Sequence, residues 1–263
     1  MSTSGDNPFS SPEGNDGPSY EAPNFEGGGS VIPRSSVDYM EPVGKVFQNP
    51  NWFVNILLCG ICILIPIIGG MVAFGYLAEV LASQAYGRSQ SYPDFDFNRF
   101  VEYLTRGFWM FLVGFVVWVC IFPIIMIAGF IMAAMQATDN DALAIVGGLV
   151  YFGTNIFVNV LSFFIIMPLI IRAGMLNDFA AAFDFRWIKD FISKMWVEQL
   201  LGGIILYIFA FLIMLVGCIA LCIGYIPAAG AVLIMWGLFL AQLYQVFVHR
   251  GGQPLPFKEA TKL

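Results

Sequence analysis

Glu79 is the only charged residue among residues 46–87, and it lies nine residues before Arg88. In a helix that separation is about 13 Å, which in a bilayer puts the carboxylate close to mid-depth. An ionised side chain there costs at least ~2.5 kcal/mol unless it is neutral, paired or hydrated. Gly75, Ala78, Ala82 and Ala85 fall on the same side of the helix, a small-residue ridge that lets another helix approach closely. Two roles suit such an acid. It could handle protons or cations in a translocation path, or it could be a protonated group hydrogen-bonded at a helix contact. The ridge favours the second.

Polar partners for Glu79 would come from two other stripes. Gly148, Tyr151, Asn155, Asn159 and Ser162 recur at helical spacing, with Asn155 and Asn159 an i,i+4 pair inside an apolar run. Amides at depth act as interhelical glue worth under about 2 kcal/mol each, or line a polar path. Gln242, Gln245 and His249 form the other stripe. His249 is the single histidine, so metal chemistry is not expected. Cys59 and Cys62 match C-x-x-C, but a redox pair needs thiolate and water, and at lipid depth packing is the simpler role.

Other reaction classes lack their residues. There is no Walker A loop, no strand-linked G-x-G-x-x-G and no G-x-S-x-G elbow. Intramembrane aspartyl proteolysis needs two facing acids, and only Glu79 lies deep. The expectation is a non-enzymatic membrane component without metal or cofactor, structural or partner-binding. The alternative is a small-solute or ion transporter using Glu79, Asn155, Asn159 and Gln242.

The elements that must position these side chains follow from composition. Hydrophobic residues make up 59% of the 263 and charged ones only 11%, against about a quarter in soluble domains. Apart from Glu79 in the first, four long runs carry no charge: residues 46–87, 107–138, 142–171 and 199–248. Each exceeds the ~20 residues a spanning helix requires. The first can fold back at Pro66, Gly69 and Gly70, and the last at Gly224-Tyr225-Ile226-Pro227. The result is an all-α polytopic bundle of about six spans over residues 46–250.

Six spans place all twelve Lys and Arg on one face, the pattern of cytoplasmic loops, with both termini on that side of an inner membrane. A single crossing of residues 46–87 would strand Arg34 and Lys45 opposite. Residues 1–45 hold seven acids and two bases among Ser, Pro and Gly, and read as a disordered tail. Residues 251–263 read as a short cytoplasmic tail. The low pI of 4.7 therefore describes a tail, and nothing resembles a nucleic-acid surface.

Two loops carry amphipathic helices expected to lie in the cytoplasmic interface. Asp96 can cap the first, with Phe97, Phe100, Val101 and Leu104 inward and Arg99, Glu102 and Arg106 outward. Asp184 can cap the second, with Ile188, Phe191, Ile192 and Met195 inward and Arg186–Asp190 and Asp190–Lys194 as i,i+4 pairs. Trp187 and Trp196 would anchor it at the interface. These loops are where a protein partner would dock, and the bilayer is the other expected partner. Phe95-Asp96-Phe97 is echoed by Phe183-Asp184-Phe185, which suggests an internal repeat.

Trp52 opening the first span, Pro66 at its turn, Gly75-Tyr76, Pro93-Asp94-Phe95-Asp96 and Gly107 resemble an uncharacterised bacterial membrane family, domain of unknown function 4013. The resemblance covers about residues 50–248. Tyr92 departs from it, standing where that family tends to have Leu before the Pro. It implies a membrane fold and carries no activity or catalytic residue.

Overall fold

The computed structural model describes residues 31–88, 91–138, 140–219 and 224–258. Residues 1–30 of the expected tail, Asp139 and Cys222 lie outside the described residues. The architecture is all-helical: α1 (Glu41–Val46), α2 (Trp52–Leu64), α3 (Ile68–Ala85), α4 (Phe100–Gln136), α5 (Asp141–Leu176), α6 (Phe179–Ala182), α7 (Phe185–Ile219) and α8 (Tyr225–His249). Among the described residues, five helices are long and apolar enough to cross a membrane: α3, α4 with its 3-10 lead-in, α5, α7 and α8. The sixth apolar helix, α2, has 13 residues and spans about 20 Å, shorter than a ~30 Å hydrocarbon core.

Residues 46–87 fold back at Pro66 as their sequence suggests. The turn is tight: Ile68 N–H donates to Pro66 C=O at 2.7 Å, and Ile67 sits at φ 64°, ψ −68°. This is the strained form of the γ-turn, unusual for a β-branched residue. The Ile67 side chain is 63% exposed, so its packing within the chain does not offset the strain.

The centre of the molecule is α8, buried along nearly its whole length by α2, α3 and α7. Backbones touch at two crossings. A Cβ on Gly60 would lie 1.9 Å from Ile226 O, and one on Gly230 would lie 1.9 Å from Ile56 O. A Cβ on Gly75 would lie 1.9 Å from Tyr103 O, and one on Gly107 would lie 1.6 Å from Met71 O. Each crossing, α2 on α8 and α3 on α4, is thus a reciprocal pair of glycines. Close packing replaces the hydrophobic drive that lipid removes.

The amphipathic segments do not lie apart in an interface. They are the first turns of continuous helices, α4 of 37 residues and α7 of 35. No proline or buried break separates them from the apolar runs that follow, so the hydrogen-bond ladder continues. Asp96 and Asp184 do cap these starts: Asp96 accepts from Asn98 N–H at 2.9 Å, and Asp184 from Arg186 and Trp187 N–H at 3.1 and 3.3 Å.

The facing of α4 differs in part from expectation, although Phe100 and Leu104 pack half-buried against the core as expected. Phe97 and Val101 are each 56% exposed, while Tyr103, Arg106, Gly107 and Met110 form the buried i, i+3, i+4, i+7 face. With lipid as solvent, the apolar face can point outward and the small or hydrogen-bonding face inward. In α7, Ile188, Phe191 and Met195 are buried as expected, and the Asp190–Lys194 pair forms at 2.9 Å. Trp187 is not an interfacial anchor. It is buried, stacked on Phe191 with Arg172 over its ring, and its Nε1–H donates to Gln253 C=O.

Both chain ends pack onto this body. Val46 is buried, Ile32 N–H donates to Ala85 C=O at 3.0 Å, and Asp38 N–H donates to Gln242 Oε1 at 3.0 Å. Residues 31–45, read from composition as tail, therefore belong to the folded body. At the other end, residues 251–258 form a strap. Leu255 is buried, with its N–H on Tyr244 Oη at 2.7 Å and its C=O accepting from Tyr86 Oη. Lys258 N–H reaches Met175 C=O at 3.0 Å.

Candidate functional site

Glu79 lies on α3 opposite the start of α4, where the antiparallel crossing at Gly75 and Gly107 brings Arg99 to it. The Arg99 guanidinium donates to both Glu79 oxygens, at 2.6 and 2.5 Å, and to both Glu102 oxygens at 2.9 Å. The same guanidinium lies 5.3 Å from the Tyr103 ring centroid. The deep acid is thus part of a two-acid, one-base cluster, with the Glu79 side chain 19% exposed. Two-pronged pairing gives the Glu79 side chain two charge-assisted hydrogen bonds in a fixed geometry.

The other candidates do not join it. Asn155 Nδ2 donates to Tyr151 C=O and Asn159 Nδ2 to Asn155 C=O, at 2.9 and 2.8 Å, each four residues back on its own helix. Ser162 Oγ does the same to Val158 C=O at 2.5 Å. The stripe on α5 bonds its own helix, and Asn159 is exposed. Gln242 is buried in α8 and holds the Asp38 backbone. Glu79, Asn155, Asn159 and Gln242 therefore occupy three separate places. Cys59 and Cys62 are both buried, and among the described residues no group of three His, Cys, Asp or Glu could hold a metal.

Two clusters that sequence reasoning missed are better built. The first holds the Tyr92-Pro93-Asp94-Phe95 segment. Asn51 and Asn55 each donate an amide N–H to one Asp94 oxygen, at 2.8 and 2.9 Å. Asn55 Oδ1 accepts from Phe95 N–H at 2.9 Å, and Asn49 donates to Tyr92 C=O at 2.8 Å. Tyr76 Oη–H donates to Pro93 C=O and Tyr92 Oη–H to Val46 C=O, each at 2.8 Å. The spacing of Asn49, Asn51 and Asn55 at the start of α2 was the available signal. Burial pushes the Tyr92 hydroxyl up to about 12.

The amide of Asn55 holds the Asp94 carboxyl below the ordinary aspartate range; partial burial opposes this, and Asn51 adds to the lowering. A depressed folded pKa stabilises above the unfolded value of about 3.9 and loses that contribution as pH falls through the lower folded value. Acid should therefore loosen this latch. Asp94→Ala leaves the Asn55 amide, on a residue 1% exposed, without its acceptor and should cost about 2 kcal/mol at pH 7. Thermal unfolding in detergent from pH 7 down to 3 checks this. The variant should start lower and show a shallower acid dependence than the parent, and superimposable profiles would remove Asp94 from the account.

The second cluster surrounds Arg106, 1% exposed. Its guanidinium donates to Gly174 C=O at 3.2 Å and Lys258 C=O at 2.9 Å, and stacks 4.1 Å from the Phe257 ring centroid. Arg106, expected on the outward face, instead occupies this buried carbonyl cradle. Gly174 lies in the last turn of α5, where the helix dipole favours a cation.

These arrangements tie helices together. No curated protein and no solved structure matches the chain. A family described as Protein of unknown function (DUF4013) matches residues 58–223, narrower than the 50–248 expected and leaving out the central α8. That match covers well over half of the sequence, and this all-helical chain, with five helices long and apolar enough to cross a membrane among its described residues, belongs to the DUF4013 family.

Proposed function

We propose that this chain is a non-enzymatic component of a bacterial cytoplasmic membrane, structural or partner-binding, with both termini on the cytoplasmic side. The observation that carries the reading is the pairing of Glu79 with Arg99. A carboxylate that moves protons or cations must be free to exchange them, and this one is gripped by two donors. The polar residues that could have continued a path from it are bonded within α5 or to the Asp38 backbone. Sidedness is supported by the sequence: six crossings, with residues 46–87 forming a hairpin, would put all twelve Lys and Arg on one face.

Reconstitution into liposomes with a pH-sensitive dye tests it. Under an imposed proton or alkali-cation gradient, vesicles with the protein should leak no faster than empty ones, and Glu79→Gln should change nothing. Uptake present in the parent and lost in Glu79→Gln would overturn the proposal in favour of transport.

A further inference from the structure

The α4–α5 hairpin leaves the core and diverges from the first turns of α7, opening a wedge of about 1010 Å³. That is the upper end of the ~300–1,000 Å³ typical of small-molecule sites. Its walls are apolar: Cys120 and Ile124 from α4, Phe157 and Leu161 from α5, Ile188 and Ile192 from α7. Among the described residues lining it, Lys189 carries the only charge, with Ser193 one turn further along α7. Arg186 lies one turn before Lys189, both are exposed, and neither makes an ion pair or side-chain hydrogen bond among the described residues.

Among the described residues, six other bases are paired, whereas Arg88, which has only ring contacts, and Lys258 also lack such partners but do not line the wedge. Arg34 and Lys45 are held by Glu41, Arg99 by Glu79 and Glu102, Arg172 by Asp184, Lys194 by Asp190 and Arg250 by Glu198. The acids nearest Arg186 and Lys189 in sequence, Asp184 and Asp190, are thus already engaged by other bases. The expected Arg186–Asp190 pair does not form. An apolar cleft with one uncommitted cation, Lys189, in its wall and a second, Arg186, one turn before it on α7 has the charge pattern of one amphiphile: apolar tails joined to an anionic head.

We propose that this wedge is a binding site for an anionic phospholipid, its acyl chains between α4, α5 and α7 and its phosphate on Arg186 and Lys189. The wall contains no acid to repel the head, and an acyl chain needs no hydrogen-bond partner from it. Basic residues near a membrane surface each favour anionic lipid several-fold, so two give roughly tenfold selectivity over a zwitterionic headgroup. The site requires residence in a bilayer and nothing from the non-transport reading.

The test uses the full chain in phosphatidylcholine vesicles doped with diazirine-tailed phosphatidylglycerol or, separately, diazirine-tailed phosphatidylcholine. Photolysis should label peptides containing residues 116–124 and 153–169 roughly tenfold more with the anionic probe. Arg186→Glu with Lys189→Glu should bring that labelling down to the zwitterionic level. Equal labelling of the unaltered protein by both probes overturns the proposal, and needs no variant to fold. Cross-linking of two copies through Cys120, in place of lipid labelling, also overturns it, because the wedge is then a protein interface.

Discussion

Gly107→Val is expected to destabilise this protein by about 3 kcal/mol, seen as early loss of a monodisperse peak on heating in detergent. A Cβ there would sit 1.6 Å from Met71 O and 2.6 Å from Gly75 N, and the obstacle is helix backbone. Overpacking where side chains can shift costs typically 1–3 kcal/mol. Here α3 and α4 must separate as units, which puts the cost at the top of that range. The separation also pulls Arg99 away from Glu79, since that pair lies two turns along the same crossing. Gly114→Val is the control, because nothing lies within 4 Å of a Cβ added there. If the two variants melt together, the α3–α4 contact is not as described.

Arg106→Ala is the second large effect, expected to cost about 3 kcal/mol. It removes the donors from two carbonyls, Gly174 and Lys258, and takes away the group stacked on Phe257. Orphaned buried acceptors cost about 1–3 kcal/mol each, and the emptied space adds to that. Relief of a buried cation's desolvation offsets part of the loss, which keeps the figure below the simple sum. Limited proteolysis gives the specific readout. Cleavage within residues 251–258 should accelerate far more than cleavage in the α7–α8 region. Arg106→Lys should rescue only in part, since an ammonium lacks the fork that reaches both carbonyls. Unchanged strap cleavage in Arg106→Ala would show that the strap is held without it.

Much of the helical framework could be read from the chain because lipid makes long apolar runs unambiguous. The turn at Pro66 and the caps at Asp96 and Asp184 followed from local backbone chemistry. What failed was inference about facing. Phe97 and Val101 were placed inward by a rule that holds in water, where apolar faces seek the core. In this solvent Tyr103, Arg106 and Gly107 face inward instead, because they bring hydrogen bonding or close approach. Asn155 and Asn159 looked like a stripe reaching for Glu79, yet each amide finds a carbonyl one turn back, which spacing alone does not reveal. The partner of Glu79 was Arg99, twenty residues away in sequence and assigned to a separate wet face. That pairing appears only once α3 and α4 are known to cross at Gly75 and Gly107.

Residues 31–45 and 251–258 escaped notice for a related reason. Their composition is that of loops, and their order comes from contacts spanning up to 204 positions, such as Asp38 with Gln242. Arg106 shows the same dependence, since its acceptors lie 68 and 152 positions away.

The strap also sets an order of events in biosynthesis. Residues 251–258 are translated after α1 to α8, yet they join Tyr86 just past α3, Arg106 of α4, Met175 of α5 and Trp187 of α7. Insertion by the translocon can run ahead segment by segment, but those four helix ends are fastened together only once this late peptide arrives. Membrane integration and final locking are therefore distinct steps for this polypeptide, with an unlatched intermediate between them.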